Sequence, residues 1–69
     1  MLKLYDVVRT KIDHPELQIK KTYIGTIVDV INNGDAYTVE FINDNGDVLE
    51  DALFTEFYEK DLIRISETN

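Results

Sequence analysis

Apolar and polar positions alternate along most of this chain with the two-residue period of strands, and clusters of Gly, Asn and Asp interrupt the alternation. Leu4-Tyr5-Asp6-Val7-Val8-Arg9 reads as a first strand. Residues 10–22 are polar and read as a long loop, in which Pro15 pushes His14 out of the helical region. Residues 23–31 form a second strand, with Ile24, Thr26, Val28 and Val30 on the core face and Tyr23, Gly25, Ile27, Asp29 and Ile31 on the other. Gly25 inside a strand marks a bulge, a bend or a close backbone approach. Asn32-Asn33-Gly34-Asp35 is a turn, because Asn and Gly tolerate positive φ. Residues 36–42 form a third strand, with Tyr37, Val39 and Phe41 facing the core and Thr38 and Glu40 facing away. Asn43-Asp44-Asn45-Gly46 repeats the turn chemistry. Residues 48–57 read as a fourth strand, although the adjacent Leu53 and Phe54 require either a bulge or the exit of one of them. Leu53, Phe54, Phe57 and Tyr58 also fall at i, i+1, i+4 and i+5, so helical periodicity competes within residues 51–60. Tyr58-Glu59-Lys60-Asp61 makes a single helical turn, residues 62–65 a fifth strand, and residues 66–69 a frayed polar tail.

Five strands joined by one long loop, two tight hairpins and a short helical turn predict an all-β fold, a small five-stranded SH3-like barrel. One domain is expected over residues 1–69. An OB-fold is the competing barrel, but its third connection is longer and often helical. Val8, Ile24, Val28, Val30, Tyr37, Val39, Phe41, Leu53 and Leu62 are the expected core.

Charge changes this picture more than any motif. Seven Lys and Arg stand against fourteen Asp and Glu, a net of −7. Residues 1–34 hold five basic and four acidic side chains, whereas residues 35–69 hold two and ten. Nucleic-acid binding by counterion release needs clustered Lys and Arg, so no nucleic-acid partner is expected. Anionic lipid headgroups repel such a chain, and no apolar run approaches the ~20 residues of a membrane span. An acidic half suits a basic protein partner, against the plainer reading of a solvated surface. The opening residues, broken by Lys3, Asp6 and Arg9, do not read as a signal peptide, and the chain has no cysteine. Both features point to a cytoplasmic protein without disulfides or thiolate metal sites.

Four blocks carry a family resemblance: Leu4-Tyr5-Asp6-Val7-Val8, Ile24-Gly25-Thr26-Ile27-Val28-Asp29-Val30, Ala36-Tyr37-Thr38-Val39-Glu40-Phe41-Ile42 and Ala52-Leu53-Phe54-Thr55. In this order and spacing the chain resembles the bacterial domain-of-unknown-function family DUF4926, short and mostly stand-alone proteins similar in fold to SH3-like barrels. The resemblance implies an architecture and no activity. Two departures stand out. Lys21-Thr22-Tyr23-Ile24 occupies the place of the family's usual Gly-Asp pair, and Glu56-Phe57-Tyr58-Glu59 intervenes before its usual Pro-Glu turn.

Candidate chemistry is sparse. His14 is the sole histidine, has no co-ligands or neighbouring nucleophile, and reads as a surface residue. Asn43-Asp44-Asn45-Gly46-Asp47 invites a calcium reading. Placing Gly46 at the sixth EF-hand position puts Phe41 first and Ala52 twelfth, where carboxylates are required. No metal or cofactor is expected. Glu50-Asp51 and the set Glu56, Glu59 and Asp61 offer paired carboxylates, but no nucleophile, base and orienter accompany them, so no enzyme is expected. The remaining signal is aromatic. Phe54, Phe57 and Tyr58 lie among Glu50, Asp51, Glu56, Glu59 and Asp61. Aromatic rings within charge of one sign look like a partner-binding face with an anchoring centre and a steering rim. The competing reading makes Phe54 and Phe57 the plug of the barrel. The expected function is a non-catalytic module, in one form an inhibitor or immunity-type protein, docking a basic protein surface. The alternative is a structural or accessory subunit or a self-associating homo-oligomer.

Overall fold

A computed structural model describes residues 1–66. Four strands form one antiparallel sheet: β1 (Val7–Thr10), β2 (Ile24–Ile31), β3 (Ala36–Ile42) and β4 (Leu62–Ser66), in the order β3-β2-β1-β4. The expected all-β class is right in that strands dominate and helices are short. The sheet is open and has four strands among the described residues, one fewer than the expected five-stranded barrel. The residues assigned to a fourth strand make instead an isolated bridge between Ile42 and Val48, one helical turn α1 (Glu50–Leu53), and a second bridge between Tyr37 and Phe57. The reason lies in the spacing Leu49-Glu50-Asp51-Ala52. Its apolar positions are three apart, so a helical turn buries Ala52 beside the half-buried Leu49 where a strand would send one of them outward. Two carboxylates in the first turn also favour the positive end of the peptide dipoles.

The first strand starts later than its apolar pattern suggests. Leu4 to Asp6 belong to a turn in which the Lys3 N–H donates to the Asp6 carboxylate at 2.8 Å, and Tyr5 takes a left-handed φ of 70°. Such local side-chain bonds compete with a ladder. Asp6 is buried, with Arg64 Nη1 of β4 at 4.0 Å from its carboxylate.

The β2–β3 hairpin is the centre of the fold. Val39 and Phe41 face inward, and cross-strand partners share a face, so Ile27 opposite Val39 and Gly25 opposite Phe41 face inward too. That inverts the expected faces at the start of β2: Ile24 and Val28 are exposed. A bulge then places Val28 and Asp29 against the single residue Thr38, and the extra residue reverses the alternation. Val30, now opposite Tyr37, packs on the core as expected. Gly25 is a close approach: a Cβ there would lie 2.6 Å from Val39 Cγ1 and 2.7 Å from the Phe41 ring. The hairpin turn holds Asn32, Asn33 and Gly34 all at positive φ.

Val8, Tyr37, Val39, Phe41 and Leu62 occupy the core as expected; Leu53 is only half-buried. Leu2, Ile19, Ile27, Ala36, Ala52 and Phe57 complete it. Ile19 arrives through the loop after β1. There His14 lies outside the helical region (φ −123°, ψ 78°), and a 3-10 helix, Pro15–Leu17, folds back so that His14 and Ile19 exchange two backbone hydrogen bonds at 2.8 and 3.0 Å. Of the expected frayed tail, Ser66 pairs with Val7 at the end of β4, and residues 67–69 lie outside the described residues.

Candidate functional site

Segment 50–61 sorts its residues through a few backbone bonds. After α1, the Phe54 and Thr55 N–H groups close the turn on the Asp51 and Ala52 carbonyls at 3.3 and 3.1 Å. Two residues later the chain is caught by the edge of β3: Tyr37 N–H donates to Phe57 C=O at 2.7 Å and Phe57 N–H to Tyr37 C=O at 2.9 Å. This bridge turns the Phe57 ring inward, where only 3 % of the residue is exposed. The ring meets Phe41 edge-on at 5.4 Å and His14 edge-on at 6.2 Å. Phe57 is therefore a core residue and leaves the expected binding face. Phe54 has the opposite fate. At the end of the helical turn no described residue covers it, and 90 % of it is exposed.

Glu50, Asp51, Glu56 and Glu59 are exposed beside it in sequence, and Tyr58 is exposed as well. Asp61 is half-buried, and its carboxylate accepts the Tyr58 N–H at 3.2 Å, so it shapes the 3-10 helix Glu59–Asp61. Under this segment lies Tyr37. Burial raises its phenol pKa above the ordinary value, and the nearby Glu59 carboxylate adds to the rise. The Leu2 backbone and Glu59 lie near the hydroxyl, yet neither makes a well-formed hydrogen bond with it.

A groove opens at the start of α1, between that turn and the 3-10 helix Pro15–Leu17. Its lining is mostly polar, from Gln18, Asn43, Glu50 and Asp51, with a smaller apolar part from Val48 and from Leu17 and Leu49, which pack on the core. Sequence reading missed Leu17, Gln18 and Val48 here, because the groove joins segments about 30 positions apart and no local pattern announces it. A second hollow, between Asp13, Pro15, Ile19, Lys20 and Tyr23, carries mixed charge.

The other candidates resolve locally. His14 is half-buried, its Nδ1 3.3 Å from Glu16, its ring forming part of the wall around Phe57. Its expected place on the surface is corrected: the two backbone bonds to Ile19 hold it against the core. In the turn after β3, Asn43 Oδ1 accepts the Asn45 and Asp47 N–H groups at 2.9 and 3.0 Å, an Asx turn. Among the described residues no helix is long and apolar enough to cross a membrane.

Residues 4–56 match the family model described as "Domain of unknown function (DUF4926)". The chain belongs to that family. The DUF4926 match spans β1 to β3 and α1 and ends at Glu56, so Phe57, Tyr58, Glu59 and Asp61 lie beyond it. No curated protein and no solved structure matches the chain.

Proposed function

We propose that this DUF4926 protein is a non-catalytic binding module that docks a basic surface of a partner protein in the cytoplasm. Phe54 is the anchor, Glu50, Asp51, Glu56 and Glu59 steer, and Tyr58 sits at the margin. The observation that carries this reading is Phe54 at 90 % exposure beside four exposed carboxylates. A folded domain gains nothing for its own stability from a phenylalanine in water, whereas aromatic anchors dominate binding energy when a partner covers them. An inhibitor or immunity-type protein, shielding the cationic site of a toxin or nucleic-acid enzyme, is the concrete form. We read the architecture as an open SH3-like barrel, with the bridges at Val48 and Phe57 standing where a closed barrel has its fourth strand.

The test replaces Glu50, Asp51, Glu56 and Glu59 with Lys together, and Phe54 with Ala separately. Partner association by the four-lysine variant should slow first, because long-range attraction acts on encounter. Phe54→Ala should mainly accelerate dissociation. A four-lysine variant that captures the same partners from the source cell at physiological salt rules this reading out.

Self-association is the second reading. β4 is an edge strand, and Ile24, Ile42 and Val48 form an exposed apolar row across the sheet through the Ile24–Ile42 and Ile42–Val48 pairings. Sedimentation at low and high salt separates the two. Apolar self-association persists as ionic strength rises, whereas steered docking weakens.

A further inference from the structure

We infer that two copies of this chain pack outer sheet face to outer sheet face, with β2 along the two-fold axis and Arg9 of each copy paired with Glu40 of the other. This rests on the self-association reading above and says which surface is used; the acidic face around Phe54 takes no part. The register of the sheet carries the inference. Val39 and Phe41 face the core, so Glu40 and Ile42 face out. Ile24 lies opposite Ile42, and Thr26 opposite Glu40, on that same outer face. Val7 lies opposite Thr26, and the same register continued by two residues sets Arg9 beside Ile24. Two rows therefore cross β3, β2 and β1: Ile42, Ile24 and Arg9 in one, Glu40, Thr26 and Val7 in the next.

Three observations point to a second copy as the occupant. A solvated face of an antiparallel sheet is ordinarily polar, yet Ile24, Val28 and Ile42 are exposed here and the exposed Val48 extends the first row past β3. The charges in the two rows are self-complementary. In a chain of net charge −7 these rows hold one cation, Arg9, and one carboxylate, Glu40; the next charge on the face, Asp29, lies beyond the bulge. Among the described residues neither Arg9 nor Glu40 makes an ion pair within the chain. They stand on β1 and β3, on either side of β2, so a half-turn about an axis along β2 brings Arg9 over Glu40 of the other copy, and does so twice. The offset between the rows, about 7 Å, is within an arginine's reach. The same half-turn sets Ile24 on its counterpart and Ile42 on the aliphatic stem of Arg9 of the other copy. Size agrees as well. A standard interface takes about 800 Å² from each partner, less than a fifth of the 4525 Å² surface of this chain, a share that one face of the sheet can supply.

The test is sedimentation equilibrium of the full chain over a wide concentration range at physiological salt, where a monomer–dimer equilibrium is expected. Arg9→Glu and Glu40→Arg each set like charges opposite one another and should weaken the dimer at least about tenfold. The two together restore opposite charges and should recover the parent's dissociation constant to within about threefold. Unchanged far-ultraviolet circular dichroism of the dilute variants verifies their fold. A mixture of labelled and unlabelled parent chains makes the test without any substitution: contacts between copies should be seen by filtered NMR from the Ile24 methyls to Ile24 and Ile42. Single variants that dimerise like the parent, or a double variant no better than either single, overturn the Arg9–Glu40 pairing. A dimer without contacts between copies at Ile24, or one abolished by Ile65→Lys on the β4 edge and untouched by the Arg9 and Glu40 variants, overturns this face while self-association stands. A monomer at every concentration overturns both.

Discussion

The β2–β3 hairpin and segment 48–61 both carry aromatic rings, and they place them by different rules. In the hairpin, side-chain alternation decides: Tyr37 and Phe41 share a face of β3 with Val39, and all three are buried. In segment 48–61 the backbone decides. Phe54 and Phe57 sit three residues apart in similar acidic surroundings, yet one is bare and the other is sealed, because only Phe57 is hydrogen-bonded to the edge of β3. A ring on a continuous ladder can be assigned from its neighbours, whereas a ring between isolated bridges depends on which single residue the sheet edge captures.

The sharpest way to break this comparison is to delete each ring. Phe57→Ala removes a ring that fills the space between Phe41 and His14, and should cost about 3–5 kcal/mol. A domain of this size holds a reserve of roughly that amount, so the variant should be largely unfolded at room temperature. Phe54→Ala should lie within about 0.5 kcal/mol of the parent. Denaturant midpoints measure both. Equal losses would mean that Phe54 packs in solution and that no uncovered anchor exists.

The hairpin is tested next, at Gly25. A methyl group there would meet Val39 Cγ1 and the Phe41 ring at well under van der Waals distance, and both neighbours are buried and closely packed. Gly25→Ala should therefore cost about 1–3 kcal/mol through overpacking. A melting temperature equal to the parent's would show that the two strands separate easily, and that the hairpin is less rigid than its alternation implies.

The same contrast explains what could be read before the structure. The third strand, both turns and the inward set Tyr37, Val39 and Phe41 were legible because alternation and Asn-Gly chemistry agree there. The faces of β2 were not, because the bulge at Val28 and Asp29 reverses the parity and two incompatible alternations share one strand. Ile19 was invisible as a core residue, since it reaches the interior through a polar loop stapled by two backbone bonds. The helical turn α1 was hinted at only by the apolar periodicity that competed with a strand over residues 51–60. At the candidate face, sequence reading named Glu50, Asp51, Glu56 and Glu59, all of which are exposed, and left Phe54 and Phe57 undecided. Deciding between them required knowing that the Tyr37 backbone pairs with Phe57, a contact across 20 positions that no local pattern encodes.

The smallest effect concerns the one ring the two regions share. Tyr37 lies on the hairpin, and its hydroxyl is buried beneath Glu59 without a well-formed hydrogen bond. Burial, and then the Glu59 carboxylate, raise the pKa of the folded state, while the unfolded chain titrates near the ordinary value of about 10. Above that pH the unfolded state releases its proton while the native state retains it. The unfolded state thus binds fewer protons, and stability falls as pH rises. The contribution is fully present below about pH 10 and is lost as pH climbs toward the raised native value. Tyr37→Phe removes both the orphaned hydroxyl and the titration. Near neutral pH it should be neutral or stabilising by up to about 1 kcal/mol, since no hydrogen bond is given up. Above about pH 10 its advantage over the parent should widen. Thermal midpoints of the two proteins across that range isolate Tyr37, because the other tyrosines and the lysines are common to both. A parallel decline would place the Tyr37 hydroxyl in water, against the burial that raises its pKa here.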